Sequence, residues 1–97
     1  MPQLLIPLAD GTTMALELES IVTVGRNPAN ALPIDDPSVS SFHAKIETDA
    51  NGVFVSDLFS SNGTYVNGER ILTLKLEDGD RVRFGKVESV FSLSGGA

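Results

Sequence analysis

Five Asx-Gly steps punctuate this chain of 97 residues: Asp10-Gly11, Asn51-Gly52, Asn62-Gly63, Asn67-Gly68 and Asp78-Gly79. These dipeptides tolerate the positive φ angles of tight reversals, because glycine has no Cβ and short amide or carboxylate side chains bond back to their own backbone. Reversals this frequent leave room only for short elements. Between them the runs are rich in Val, Ile, Leu, Thr and Phe, and several alternate. Met14, Leu16 and Leu18 face away from Ala15, Glu17 and Glu19; Phe42, Ala44 and Ile46 oppose His43, Lys45 and Glu47; Val82 and Phe84 oppose Arg81 and Arg83. That is strand periodicity. No window sustains an apolar stripe at helical spacing over three turns, so helix is at most a short turn. The predicted strands are 3–8, 13–18, 21–25, 31–34, 43–48, 53–58, 64–66, 70–75, 81–84 and 88–93. Short strands at such regular spacing predict an all-β fold, an antiparallel β-sandwich of about ten to eleven strands. Asn67-Gly68 reads as a type I′ hairpin turn.

Length and composition limit what this sandwich can do. A chain of 97 residues forms one core, burying roughly 65% of the surface its unfolded form exposes. One domain over 1–94 is expected, with Gly95, Gly96 and Ala97 as a flexible tail or the start of a linker. Thirteen acids against seven bases leave a net charge of −6, which repels nucleic acid and anionic membranes. Any anion site must be a local exception. The absence of cysteine excludes disulfides, thiol nucleophiles and Fe–S clusters, and a single histidine, His43, argues against structural zinc. No metal or cofactor is expected. The stretch from Met1 to Pro7 carries neither a basic leader nor a long apolar run, so the cytoplasm is the expected compartment.

Three segments hold the residues capable of binding chemistry. In Val24-Gly25-Arg26-Asn27-Pro28 an apolar strand ends in glycine and delivers an arginine at the mouth of a loop. This is a way to aim a guanidinium at an anion, although an exposed turn arginine looks the same. Asp36-Pro37-Ser38-Val39-Ser40-Ser41-Phe42-His43-Ala44 is crowded with hydroxyls, which either donate to phosphate oxygens or only shape a turn. Asp57-Leu58-Phe59-Ser60-Ser61-Asn62-Gly63-Thr64-Tyr65-Val66-Asn67-Gly68 holds two Asn-Gly steps five residues apart, more than one hairpin requires.

Together these segments resemble the forkhead-associated (FHA) domains, β-sandwich modules that recognise phosphothreonine on partner proteins. Gly25-Arg26, Ser40-Ser41-Phe42-His43, Ser60-Ser61-Asn62-Gly63-Thr64 and Val66-Asn67-Gly68 match the family's motifs in order and spacing, and 78–85 is similar to its penultimate hairpin. The resemblance implies a non-catalytic signalling module with its site in loops at one end of the sandwich. Its partner would be a phosphothreonine-containing protein or peptide, in trans or within a longer parent chain. Arg26 and the Ser40 hydroxyl would grip the phosphate, Ser41 and Ser61 would add hydroxyl or backbone N–H contacts, and Asn62 would bind the peptide backbone through both halves of its amide. Gly25, His43, Gly63, Thr64 and Asn67 would support the site structurally, His43 by bracing the Ser40 loop.

Two departures from the family pattern matter. Ser41 stands where arginine or another long side chain is common, so one cation would hold the phosphate. Ser38 stands where some relatives carry an arginine that selects an acidic residue three places after the phosphothreonine, so no such preference is expected from that position, and the net charge of −6 disfavours very acidic peptides. Two rival readings accompany the first. The same sandwich would bind a partner without phosphate through a sheet face or edge strand. Alternatively, His43, oriented by Asp35, Asp36 or Asp57, would serve as a hydrolase's base, against which stands the near absence of acid–base groups other than carboxylates.

Overall fold

In the computed structural model, which describes residues 2–7 and 10–93, the Asx-Gly steps make two kinds of connection. The elements are β1 (Gln3–Pro7), β2 (Thr13–Glu17), β3 (Ile21–Gly25), β4 (Leu32–Pro33), β5 (Ala44–Asp49), β6 (Gly52–Asp57), β7 (Thr64–Val66), β8 (Glu69–Ile71), β9 (Thr73–Lys75), β10 (Arg81–Phe84) and β11 (Val87–Ser92). They form a six-stranded sheet in the order β2-β1-β11-β10-β7-β8 and a five-stranded sheet in the order β4-β3-β5-β6-β9. Asp10-Gly11, Asn51-Gly52 and Asn67-Gly68 close hairpins within a sheet, whereas Asn62-Gly63 and Asp78-Gly79 lie where the chain passes from one sheet to the other. All five glycines have positive φ, and at the two-residue β7–β8 turn Asn67 (φ 51) does as well as Gly68 (φ 86), giving the type I′ geometry expected there.

The inward positions of both sheets meet in one core. Leu4, Val66, Val82, Phe84 and Phe91 come from the larger sheet and Val22, Val24, Ala44, Ile46, Val53 and Val55 from the smaller, all buried. Leu18 and Leu76 close the core from the connections between sheets. Among the described residues no helix is long and apolar enough to cross a membrane.

Two expectations are corrected. The run 70–75 is two strands: Ile71 pairs with Thr64 in one sheet, and Thr73 pairs with Ser56 in the other. The chain changes sheets at Leu72, which is 80% exposed while its carbonyl accepts from the Asp57 N–H at 2.8 Å. The adjacent apolar residues Ile71 and Leu72 break the alternation there, but such a break does not reveal which sheet each half joins, because both halves keep the period of a strand. The sandwich also contains one parallel pair, β3 with β4. Finally, Phe42 is 52% exposed and His43 is buried, the reverse of the predicted phase. β5 begins only at Ala44, so Phe42 and His43 belong to the preceding loop and their side chains follow its hydrogen bonds. Leu8, the expected end of the first strand, and the expected tail at 95–97 lie outside the described residues.

Candidate functional site

β3 ends at Gly25, where nothing larger fits: a Cβ at this position would lie 2.2 Å from the Ser41 carbonyl oxygen. The chain after Gly25 can therefore run against the serine loop, and backbone bonds lock the two segments together. The Arg26 N–H donates to the Ser40 carbonyl at 2.9 Å and the Asn27 N–H to the Ser41 carbonyl at 3.1 Å. The Arg26 side chain, 53% exposed, projects from this seam, and its one ion pair joins Nε to the fully exposed Asp35 at 3.9 Å. A pair of that length in water leaves the guanidinium free to exchange partners.

The serine loop is held from beneath by His43. Its Nδ1 accepts from the Ser40 N–H at 3.1 Å, so Nε2 carries the proton and donates to the Gly63 carbonyl at 2.9 Å. The ring is 0% exposed and packs edge-on against Phe84, with centroids 5.9 Å apart. Both nitrogens are occupied and neither faces solvent, so the hydrolase reading has no accessible base. Across the seam the Ser61 N–H donates to the Ser40 Oγ at 3.0 Å, and the Asn62 Nδ2 donates to the Ser38 carbonyl at 2.8 Å. Arg26, Ser40, Ser41, Ser61 and Asn62, from the β3–β4, β4–β5 and β6–β7 loops, thereby line one open cavity of about 330 Å³ with Pro37, Ser38 and Val39.

Asp57 organises the third loop. Its Oδ1 accepts from the Ser60 hydroxyl at 2.5 Å and the Thr64 hydroxyl at 2.8 Å, and its Oδ2 accepts from the Ser60 N–H at 3.2 Å. Burial raises its pKa, but the two hydroxyls and the Ser60 N–H together outweigh burial, so the carboxyl sits below the ordinary value of 3.8. Asp36 is lowered as well, chiefly by the Ser38 hydroxyl and N–H and further by Lys86 and Arg26. Thr64 is thus buried support, whereas Asn67 does not reach the cavity. Its amide joins Asp80 and the Arg81 N–H at the far end of β7.

These loops have known counterparts. The family model described as FHA domain matches residues 22–85, a span that contains all three loops. The chain belongs to the FHA domain family. It is 40% identical over 73 residues to the glycogen accumulation regulator GarA of Mycobacterium tuberculosis, which covers 75% of this chain and 45% of that protein. It is also 40% identical over 69 residues to the oxoglutarate dehydrogenase inhibitor of Corynebacterium efficiens, covering 71% and 49%. The chain therefore spans about half the length of the curated relatives it matches. Among solved structures it is similar to Mycobacterium tuberculosis EmbR in complex with a low-affinity phosphopeptide (TM-score 0.83, 32% identity, 95% of this chain and 24% of that one). A structure from an analysis of phosphothreonine-dependent FHA domain interactions matches with TM-score 0.83 and 30% identity, over 95% of both chains.

This FHA domain uses residues that its motifs do not announce. Asn30 is buried and its Nδ2 donates to the Asn27 and Ser41 carbonyls, both at 2.8 Å, tying the arginine loop to the serine loop. Gly85 (φ 60) passes so close to Ser38 that a Cβ would lie 2.3 Å from its carbonyl. The Ser38 hydroxyl then accepts from the Lys86 N–H at 2.9 Å. Asp57 lies within a segment read from the sequence and Asn30 lies outside all three, and ordinary loop composition does not separate a bridging amide or carboxylate from a solvated one. Two of the expected contacts are already part of the scaffold. The Ser61 N–H is taken by Ser40, leaving the Ser61 hydroxyl, and one of the two Asn62 amide hydrogens is taken by Ser38, leaving the other and Oδ1.

Proposed function

We propose that this chain is a non-catalytic docking module that binds protein segments carrying phosphothreonine. The observation that carries this reading is the convergence of Arg26, Ser40, Ser41, Ser61 and Asn62 from separate loops on one cavity. A phosphothreonine brings about −1.5 to −2 charges and three acceptor oxygens. The cavity offers a guanidinium, the hydroxyls of Ser40, Ser41 and Ser61, and an amide, with Arg26 its only charged lining residue. Because Ser40 Oγ already accepts from the Ser61 N–H, its own proton is left to donate to the phosphate. Asn62 retains an N–H and a carbonyl oxygen for the peptide backbone beside the phosphoresidue.

Charge-assisted hydrogen bonds contribute about 1.5–3 kcal/mol each, so three of them, less the cost of association, suit a micromolar complex near −8 kcal/mol. The extra methyl of phosphothreonine, if buried, favours it over phosphoserine by about 0.8 kcal/mol, roughly fourfold. The matched structures with phosphopeptide or phosphothreonine-dependent binding support the same chemistry. In this reading the module works in the cytoplasm, with a partner in trans or a phosphorylated segment of a longer parent chain.

Titration of the protein and its Arg26→Ala variant with phosphothreonine peptides and their unphosphorylated twins tests the proposal. The parent protein is expected to bind the phosphorylated forms alone, and the variant neither. Equal binding of both forms would instead favour a phosphate-independent docking surface.

A further inference from the structure

The outer face of the larger sheet carries a basic row next to the cavity. Arg70, Tyr65 and Arg83 sit opposite one another on β8, β7 and β10. The row faces outward, because Thr64, Val66, Val82 and Phe84 on either side of it are buried. The Arg83 guanidinium carbon lies 4.2 Å from the centre of the Tyr65 ring, a cation–π stack. Arg70 packs over Gly63, where a Cβ would come within 2.9 Å of its Nε and 3.1 Å of the Tyr65 Cε1. Gly63 therefore leaves the space that the guanidinium fills, one residue from Asn62.

Neither arginine has a carboxylate at ion-pair distance among the described residues, whose ion pairs join Arg26 to Asp35 and Lys45 to Glu47. Glu88 lies opposite Arg83 in the register, and Glu69 adjoins Arg70 in sequence, yet neither pairs with it. On a chain of net charge −6, two guanidinium groups beside one aromatic ring and without a counter-ion form a local exception to the acidic surface. Arginines ordered in advance on an aromatic ring lose less freedom when an anion arrives.

We propose that Arg70 and Arg83, seated around Tyr65, select an anionic side chain of the bound phosphopeptide, a carboxylate or a second phosphate. This rests on the phosphothreonine reading of the adjoining cavity. Asn62 would hold the peptide backbone beside the phosphothreonine. An extended chain advances about 3.3–3.6 Å per residue, so the selected residue lies at one fixed offset from the phosphothreonine, on one side of it. The acidic selectivity absent at Ser38 is thus supplied from the sheet face.

The test is fluorescence-anisotropy titration of the protein with alanine-flanked phosphothreonine peptides in which one glutamate, or one phosphoserine, is moved from five positions before to five positions after the phosphothreonine. Exposed ion pairs are individually weak, so the gain expected at the preferred position is about three- to tenfold, larger for phosphoserine and shrinking with added salt. The Arg70→Gln/Arg83→Gln double variant should bind the plain phosphothreonine peptide as the parent does while losing the gain. The Arg70→Lys/Arg83→Lys pair, which keeps both charges, should retain part of it and guards against misfolding of the neutral variant. A flat scan, or a gain that survives in the glutamine variant, overturns the proposal while leaving the phosphothreonine reading intact. Failure of the parent protein to bind the plain phosphopeptide overturns both.

Discussion

Ser61 and Ser40, 21 positions apart in sequence, are joined by a 3.0 Å hydrogen bond from the backbone N–H of the former to the hydroxyl oxygen of the latter. The bond orients the Ser40 hydroxyl and fixes the distance between the second and third loops. Ser40→Ala removes both the orientation and the donor to phosphate. Isothermal titration should show phosphothreonine-peptide binding weakened roughly ten- to hundredfold, the loss of one charge-assisted bond, and the Ser61 amide should exchange faster with solvent.

Arg26 is exposed and its ion pair to Asp35 is long, so its contribution to folding is small. Arg26→Ala should abolish measurable phosphopeptide binding while moving the thermal midpoint by less than about 2 °C. A large drop in that midpoint would mean that the arginine is structural.

His43 makes the opposite prediction. It is buried, and its two ring nitrogens join two loops. His43→Ala leaves a cavity and strips the Ser40 N–H and the Gly63 carbonyl of a partner, and urea denaturation should register a loss of about 2–5 kcal/mol. Binding by the folded fraction should weaken because the Ser40 loop loosens.

The depressed pKa values of Asp57 and Asp36 give stability a pH dependence of definite sign. A carboxyl that is more acidic when folded stabilises the protein fully above its unfolded pKa, near 3.8, and progressively less as pH falls through the lower folded value. Urea midpoints should therefore drop steadily below about pH 5. Asp57→Asn should be less stable at neutral pH and show a shallower decline in acid; an unchanged slope would remove Asp57 from this role.

Glycine substitutions separate backbone conformation from close approach. Gly68 has φ 86 with nothing within 4 Å of an added Cβ, while a Cβ at Gly25 would lie 2.2 Å from the Ser41 carbonyl. Gly68→Ala should cost about 1 kcal/mol. Gly25→Ala must push the Arg26 seam apart and should cost several times more, with loss of phosphopeptide binding.

Much of the fold was legible because strands and tight turns are local. Alternation located β10 residue for residue at 81–84, runs rich in Val, Ile and Thr located β3 at 21–25 and β7 at 64–66, and Asn67-Gly68 marked a type I′ turn whose positive φ angles the structure contains. The sheet switch at Leu72 and the exchanged phases of Phe42 and His43 were not legible, since each depends on which distant strand supplies hydrogen bonds. Gly25 looked like a strand end from its place in the sequence, but its need for close approach depends on Ser41, 16 positions away.

The sequence by itself determined an all-β chain of short strands, an acidic surface and loops holding Arg26, Ser40 and Asn62, since periodicity, charge and turn chemistry are properties of neighbouring residues. Tertiary structure alone decided that these side chains share one cavity, that Asn30, His43 and Asp57 hold it together, and that Arg70 and Arg83 flank Tyr65 beside it. The reason is physical: such contacts join residues that only sheet register and loop packing bring within hydrogen-bond or stacking distance.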